Sequence, residues 1–286
     1  MKIIKYIVQF LIVFILFIIL KIFGYKIASN IGGFIGSNLG PLFRSKKMII
    51  KNINNSLPSL NEMQIKNIIN EMWSNYGRIL SDYMYIGNFR NLKLNKHLRV
   101  DGSEILEIIK KNNKPVIFIS GHFNNFELMA MEIERSGVNV AAIYRPLNNI
   151  FLNKIMEFIR KKYICKHQIK KGFSGLRDMI HYFKKNFSIA VMIDQRVSEG
   201  VQSNLFNRPA LTTTIPAQFV KKFNCKVVPV YIERVDKHNY RMKVSKPLEF
   251  TKDETIESIT QQLNFWLEKM IKNNPGQWIW SHNRWK

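Results

Sequence analysis

Short apolar runs alternate with amphipathic segments from Val100 onward, and this alternation restricts the possible folds more than any other feature. The runs are bounded by turn-forming residues and are interpreted as buried strands, and the segments between them have helical spacing. Such alternation is typical of an α/β sandwich with a mixed, mostly parallel central sheet. The predicted strands are 116–120, 138–144, 189–193, 227–231 and 240–244, the last as an antiparallel edge strand. The predicted helices are 61–85, 103–112, 126–136, 149–162, 174–186, 213–223 and 251–272.

The N-terminal segment is basic and contains a long apolar run. The first 61 residues hold eight Lys or Arg and no Asp or Glu. Within them, Tyr6 to Leu20 is apolar except for Gln9 and is flanked by Lys5 and Lys21. A helix that spans a bilayer needs about 20 apolar residues, so this run is close to sufficient. We therefore predict an N-terminal membrane-anchor helix.

A cleaved signal peptide is the alternative interpretation of the same run. The lysine that follows the run at once, and the lack of a clean pair of small residues beyond it, argue against cleavage. More Lys and Arg follow the run than precede it, which by the positive-inside rule keeps the remaining chain cytoplasmic. The predicted division is an anchor over 1–24 and a catalytic domain over 25–286. The glycine-rich segment 27–42 is either a small-residue helix against the anchor or a flexible linker.

The chain is strongly basic, with 44 Lys or Arg against 20 Asp or Glu and a net charge of +24. Such an excess indicates an anionic partner, namely nucleic acid, an acidic membrane surface or a phosphorylated substrate. The two cysteines, Cys165 and Cys225, show no metal-ligand spacing. They indicate a reduced, cytosol-facing protein rather than a disulfide scaffold.

A histidine and a carboxylate, His122 and Glu127, lie five positions apart just after the predicted strand 116–120. We expect Asn124 or Asn125 to cap a helix that begins there, which places both side chains at the carboxyl end of the strand. A neutral imidazole that a carboxylate orients is a general base with a defined tautomer. The alternative is a surface histidine beside an unrelated acid, because acids favour the first turn of a helix.

Other polar clusters follow the later strands. They are Tyr144-Arg145-Pro146, Asp194-Gln195-Arg196 and Glu233-Arg234, of which the last is the least informative. Catalytic groups of open α/β sheets collect at such strand ends. The sequence has no Gly-rich phosphate loop, no Gly-x-Ser-x-Gly elbow and no zinc-spaced cluster. The remaining chemistry is base-assisted attack by a substrate hydroxyl, without a metal, a cofactor or a covalent enzyme intermediate.

These motifs together resemble one family. Gly121-His122-x4-Glu127 is similar to the His-x4-Asp/Glu motif of glycerolipid-type acyltransferases, and the whole chain resembles the bacterial lipid A late acyltransferases that act on Kdo2-lipid IVA. Further blocks match in order along the chain, namely Tyr144-Arg145-Pro146-Leu147, Arg160, Asp194-Gln195, Thr212-Thr213-Thr214 and Gln277 to Lys286. The segments 205–210 and 275–277 depart from the family pattern, which leaves the acyl length and details of the acceptor open.

The resemblance implies a glycerolipid acyltransferase-like fold and a late step of lipopolysaccharide biosynthesis. The donor would be an acyl carrier protein thioester, and the acceptor a hydroxyl of a 3-hydroxyacyl chain on a lipid A precursor. The enzyme would lie in the bacterial inner membrane with its catalytic domain on the cytoplasmic side. The acceptor's phosphates and the acidic carrier protein would account for the positive charge, with no nucleic acid involved.

The resemblance also implies roles for individual residues. His122 would take the proton of the acceptor hydroxyl, Glu127 would hold the imidazole, and Arg160 would supply active-site electrostatics. The residues expected to bind substrate or orient these groups are Asn124 (helix cap, alone or with its backbone N–H also toward the oxyanion), Arg145 (anionic head group), Asp194 (partner of an arginine, or else a strand-end turn residue) and Gln195 (in the Asp-Gln block). For each arginine, the alternative is a solvated surface charge.

Two other functional classes stay open at this point. One is an acyltransferase that acts on another glycolipid or a lysophospholipid. The other is a basic, non-catalytic protein that binds membranes or nucleic acid; its lysines are spread along the chain, and no nucleic-acid motif is present.

Overall fold

A seven-stranded mixed sheet forms the centre of the protein, whose computed structural model describes residues 2–286. The strands are β1 (Leu98–Asp101), β2 (Ile117–Ser120), β3 (Val140–Tyr144), β4 (His167–Lys170), β5 (Ser188–Met192), β6 (Val201–Leu205), β7 (Arg208–Thr212), β8 (Val227–Arg234) and β9 (Tyr240–Val244). Their order in the sheet is β1-β9-β8-β2-β5-β3-β4, and β6 and β7 form a separate hairpin. Only the β8–β9 pair of this sheet is antiparallel. The predicted α/β class is confirmed.

Helices flank the sheet and supply most of the buried apolar side chains that do not come from the strands. In residues 2–286 they are α1 (Lys2–Ile22), α2 (Tyr25–Leu39), α3 (Lys46–Ser56), α4 (Glu62–Asp82), α5 (Ile86–Arg90), α6 (Ser103–Asn112), α7 (Glu127–Arg135), α8 (Ile150–Ile159), α9 (Phe173–Lys184), α10 (Ile215–Phe223) and α11 (Ile256–Asn273). A π-helical turn, Arg160–Ile164, continues α8. The central strands are buried on both faces, as parallel strands covered by helices must be.

The edge of the sheet differs from the prediction. Strand β9 does pair antiparallel with β8, but it is not an edge strand, because β1 pairs with its other side in parallel. The sequence analysis did not find β1 or β4, which occupy the two true edges of the sheet. Each has only four residues and few consecutive apolar positions, so neither produces an alternation long enough to recognise.

The β6–β7 hairpin was also missed. Its two-residue turn consists of Phe206 and Asn207, both with positive φ, 54° and 55°. Asparagine favours this backbone conformation but phenylalanine does not, so the turn lacks the usual Asn-Gly or Asp-Gly signal. The Phe206 side chain is buried near Trp280 and Trp285. Tertiary packing thus stabilises a turn that could not be predicted from the local sequence.

Helix α1 lies against the rest of the protein for most of its length. The side-chain amide of Asn149 donates to the Tyr6 carbonyl at 2.9 Å, and the Tyr85 hydroxyl donates to the Leu20 carbonyl at 2.9 Å. Leu20 is buried, whereas the other large apolar faces of α1 are exposed. By length and composition α1 could cross a membrane. Helix α1 therefore enters the core only at its C-terminal end, through Leu20, and most of its apolar surface is exposed.

The glycine-rich segment is the helix α2, which excludes the flexible linker. It packs on α4 through backbone-to-backbone contact: a Cβ on Gly77 would lie 1.9 Å from the Gly32 carbonyl oxygen, and one on Gly36 would lie 2.2 Å from that of Trp73. Only glycine allows two helices to approach so closely. Helix α4, with its capping box at Asn61 and Gln64, is thereby held between α2 and the C-terminal segment, where Asn75 donates to the Gly276 carbonyl.

Candidate active site

Sheet register brings the predicted histidine to an aspartate far away in sequence. Strands β2 and β5 are parallel neighbours, and Ser120 is paired with Met192. His122 and Asp194 each follow these residues by two positions, so both emerge at the same level from the carboxyl ends of adjacent strands. This is where catalytic groups of open α/β sheets collect.

Asp194 is the residue that orients the histidine. Its Oδ1 lies 2.8 Å from His122 Nδ1, and its Oδ2 accepts from the His122 backbone N–H at 2.8 Å and from Trp278 Nε1 at 2.9 Å. Asp194 is fully buried, while 22% of the His122 side chain is exposed. The expectation that Glu127 holds the imidazole is wrong for this structure, as is the expectation that Asp194 pairs with an arginine.

Glu127 instead binds Arg160. Arg160 Nε donates to Glu127 Oε1 at 2.9 Å, Arg160 Nη2 donates to the same oxygen, and the Tyr83 hydroxyl adds a third donor at 3.0 Å. The arginine side chain is 12% exposed and the glutamate side chain 9%. Helix α7 begins at Glu127, and this start faces the C-terminal end of α8, where Arg160 begins the π-helical turn. The guanidinium also lies over the Tyr144 ring.

Asn124 joins the histidine loop to the C-terminal segment. Its side-chain amide donates to Asn75 Oδ1 at 2.9 Å and to Gln277 Oε1 at 3.0 Å, and its backbone N–H donates to the Gln277 carbonyl at 3.1 Å. That N–H is therefore not directed to an oxyanion. The expected helix cap is also absent, because α7 has Phe126 at its N-cap without a side-chain bond. Asn124 has a positive φ of 40° and acts as a loop residue.

Two further predicted residues lie near the same strand ends. Arg145 follows β3 and is exposed, and Gln195 follows Asp194 and is half-buried. Arg145 makes no ion pair within residues 2–286. Because Arg145 is exposed, it can contact the solvent-facing part of a bound substrate. Arg160 is largely buried and can contact only a group that enters the site.

The electrostatics of the site raise the pKa of His122. Burial by itself would lower the pKa of His122, but the Asp194 carboxylate and its hydrogen bond outweigh burial and raise this pKa above the ordinary value. Burial opposes ionisation of Asp194, yet His122 and the N–H donors hold the pKa of Asp194 below its usual range. Burial lowers the pKa of Arg160, but Glu127 raises it more, so this arginine remains a cation.

The arrangement can perform general-base chemistry. Because Asp194 is ionised, it accepts the Nδ1 proton of His122 and leaves Nε2 as the basic atom. Nε2 has no hydrogen-bond partner in the part of the chain that the structure describes. Glu127 and Arg160 both act on His122, and the carboxylate raises the pKa of the imidazole more than the guanidinium lowers it. The pair therefore brings N–H donors of a guanidinium near the histidine without adding a net positive charge.

Sequence reasoning missed Tyr83 and Trp278 as parts of the site. Tyr83 belongs to the apolar stripe of the predicted helix 61–85, where an aromatic is more often a core residue. Trp278 lies in the C-terminal block that resembles the family, and this was the signal that could have found it. Both are buried and use their single polar atom to bind an active-site carboxylate.

We expect the rate to rise with pH through the raised pKa of His122. Since the base must be neutral to take a proton, kcat/KM should fall below this pKa, with an acid limb above the ordinary histidine value of about 6.5. The measurement is the pH dependence of kcat/KM together with an NMR titration of labelled histidines. His167 and His238, whose pKa values are lowered mainly by burial, are controls in the same spectrum. Titration of His122 at or below these two would contradict the assignment.

The fold and the site define an α/β protein with a largely buried His–Asp pair at the carboxyl ends of adjacent parallel strands. The family model described as bacterial lipid A biosynthesis acyltransferase matches residues 1–286, and the chain therefore belongs to this family and is an acyltransferase.

Individual relatives agree with this assignment at low identity. The chain is 22% identical over 259 residues to a lipid A biosynthesis myristoyltransferase of Escherichia coli, covering 89% of this chain and 78% of the relative. It is 24% identical over 271 residues to a lipid A biosynthesis acyltransferase of Haemophilus influenzae, covering 92% and 85%. It is 22% identical over 269 residues to a lipid A biosynthesis palmitoleoyltransferase of E. coli, covering 92% and 86%.

Proposed function

We propose that the protein transfers a fatty acyl chain from an acyl carrier protein thioester to the hydroxyl of a 3-hydroxyacyl chain on a lipid A precursor. The observation that carries the proposal is His122, whose Nδ1 is bound to buried Asp194, whose Nε2 has no partner among the described residues, and whose side chain is partly exposed. Membership of the family supplies lipid A biosynthesis as the context. A thioester donor and a hydroxyl acceptor can react with a histidine general base alone, because the acceptor hydroxyl is itself the nucleophile.

The reaction balances with His122 as the only proton carrier. Nε2 removes the proton of the acceptor hydroxyl while the hydroxyl oxygen attacks the thioester carbonyl carbon. A tetrahedral oxyanion forms. The carbon–sulfur bond then breaks, the ester remains on the acceptor, and the imidazolium returns its proton to the leaving thiolate. Asp194 stabilises the imidazolium between these two steps.

Arg160 and Arg145 have different parts in this proposal. Arg160 is held rigidly by Glu127 and Tyr83 and would stabilise the oxyanion. Arg145 is exposed after β3 and would bind a phosphate of the acceptor. Gln195, beside Asp194, would contact the acceptor at the carboxyl ends of the same strands.

Removing these arginines should separate the two roles. Arg160→Ala is expected to lower kcat by about 10²–10³-fold with little change in KM, because the contact exists only in the transition state. Arg145→Ala is expected to raise the acceptor KM by about tenfold with kcat unchanged, since it loses one charge-assisted hydrogen bond. Steady-state kinetics with donor and acceptor varied separately measures both.

The controls concern folding and general charge loss. Arg160→Ala leaves the Glu127 carboxylate buried without its cation, so thermal melting must accompany the kinetics. Arg160→Lys keeps the charge but not the planar fork and should recover part of kcat. Arg177→Ala removes another exposed arginine, on α9, and should leave KM unchanged. Equal parameters for Arg145→Ala and Arg177→Ala would show that Arg145 is only a surface charge.

We further propose that residues 1–24 anchor the catalytic domain, 25–286, to the inner membrane on its cytoplasmic side. The support is the length and apolar surface of α1 and the basic residues beyond it. Deleting 1–24 is expected to release much of the protein from membranes or to cause aggregation. The remaining form should be removable by salt and the full-length protein should not. Recovery of soluble, monomeric full-length protein without detergent would contradict the anchor.

Product analysis tests the proposed reaction. The purified protein would be incubated with acyl carrier protein thioesters and a lipid A precursor, and the products analysed by mass spectrometry. One added acyl group in ester linkage is the expected result. A lysophospholipid offered in parallel should not react. Acylation of that lipid, or of another glycolipid alone, would move the enzyme to a different acceptor class within the acyltransferases.

A further inference from the structure

The segment that follows the anchor helix carries a second exposed apolar surface, away from α1. Leu42 and Phe43, in a tight turn after α2, are 79% and 74% exposed, and Phe34 on α2 is 72% exposed. Ile27 on the same helix is 52% exposed. In the described chain outside α1, Leu42 and Phe43 are the two most exposed large apolar side chains, and Phe34 comes next after Met63. We call Ile27, Phe34, Leu42 and Phe43 the α2 apolar face.

The packing of α2 determines the direction of this face. Gly32 and Gly36 contact α4 so closely that neither could carry a side chain without displacing α4. Ile27 and Phe34 are seven residues apart, so they share one side of the helix, opposite the glycines. Because the glycine contact leaves α2 no freedom to rotate, the apolar side chains are held outward at fixed positions.

The charges around the face identify its partner as an anionic lipid surface. Arg44, Lys46 and Lys47 follow Phe43 directly, all exposed, and no Asp or Glu occurs before Glu62. Apolar side chains inserted at the acyl boundary with cations among the head groups are the usual arrangement of interfacial membrane contacts. The face is also continuous with the anchor, because only Phe23 and Gly24 separate α1 from α2.

The face adjoins the active site. The turn that carries Leu42 and Phe43 packs on α4, because a Cβ on Gly40 would lie 2.4 Å from the Trp73 ring. Asn75, also on α4, binds Asn124 in the histidine loop. Helix α4 therefore contacts both the turn that carries Leu42 and Phe43 and the loop that carries His122.

We infer that α2 lies along the membrane surface and inserts Phe34, Leu42 and Phe43 into an anionic bilayer, as a second membrane contact that holds the histidine loop near lipid. This inference rests on the membrane-anchoring part of the proposed function. It fits an acceptor that is itself a lipid, because a substrate could reach His122 without leaving the bilayer surface.

Site-directed fluorescence on the full chain tests the inference. An environment-sensitive thiol label would be placed at Phe43→Cys or, as a second position, at Leu42→Cys. Cys225→Ser removes the partly exposed native thiol, and the buried Cys165 is left unchanged. The probe surface is a phosphatidylcholine vesicle with phosphatidylglycerol and brominated-chain lipid. At either position we expect a shift of emission to shorter wavelength and loss of most of the intensity through bromine quenching.

Two labelled controls make the outcomes distinct. Ile12→Cys, on the exposed side of α1, reports the anchor, and Phe265→Cys, an exposed phenylalanine of α11, should report water. Quenching at 12 but not at 42 and 43 overturns this inference alone. Absence of quenching at all positions contradicts the anchor proposal as well. A shift at 43 that needs acyl carrier protein rather than vesicles would show that the face binds a protein, and would also overturn the inference.

Discussion

His122→Ala is expected to lower kcat for acyl transfer by about 10²–10⁴-fold, the usual contribution of a positioned general base. The side chain is partly exposed and makes one side-chain hydrogen bond, so its removal should leave the fold and membrane association intact. Without Nε2 the acceptor hydroxyl must attack as the neutral alcohol. The measurement is the single-turnover rate with saturating donor and acceptor, beside a thermal melt.

A matched variant checks that the loss is chemical. His167→Ala removes another half-buried histidine, on β4, with no contact to Asp194. It should retain the wild-type rate. If His122→Ala retained more than a few per cent of the activity, the base would have to be a different group, and the proposed mechanism would fail.

Asp194→Asn should be nearly as damaging, although it changes a single atom. Oδ2 accepts two N–H donors, from the His122 backbone and Trp278, so asparagine will place its only oxygen there. Its NH₂ group then faces His122 Nδ1 and donates to it. This puts the histidine proton on Nε2, the atom that must act as the base. We expect kcat to fall by about 10³–10⁴-fold, as for the wrong tautomer in a serine protease triad.

Comparison with two neighbouring variants separates tautomer control from general disruption. Trp278→Phe removes one donor to Asp194 but keeps the carboxylate, and should cost much less than Asp194→Asn. Glu127→Gln weakens the grip on Arg160 without touching His122. If Glu127→Gln lowered the histidine pKa more than Asp194→Asn, Glu127 would be the orienting carboxylate after all. An NMR titration of His122 in each variant reads this directly.

The sequence was sufficient for the parts that depend on local pattern. The strand after Pro115, the helix that carries Arg160 and the long amphipathic helices were found because apolar spacing reports burial within one element. His122 was chosen correctly as a strand-end residue, since Gly121 and the apolar run mark the end of β2. The family resemblance rested on several motifs in a fixed order. That order can be read from the sequence without knowing which motifs meet in the fold.

The partner of the histidine could not be found in this way. Glu127 is near His122 in sequence and acid–base motifs are read over short distances, so it was assigned the orienting role. Asp194 is 72 positions away and reaches His122 only because β5 is inserted beside β2 in the sheet. Which strands become neighbours is decided by packing of the whole sheet and leaves no local signal.

The sequence alone determined the α/β class, an apolar and basic N-terminal segment, and a histidine at a strand end, to which it assigned Glu127 as the partner. The family resemblance added Arg160 and Asp194 as site residues, with Asp194 expected beside an arginine. The tertiary structure decided how these groups are paired. It paired Asp194 with His122 and Glu127 with Arg160, placed Trp278 against Asp194 and Gln277 against Asn124, and fixed α2 on α4 through glycine contacts. The reason is physical: burial periodicity is a property of one segment, whereas pairing of buried charges depends on strand register and helix approach between segments remote in the chain.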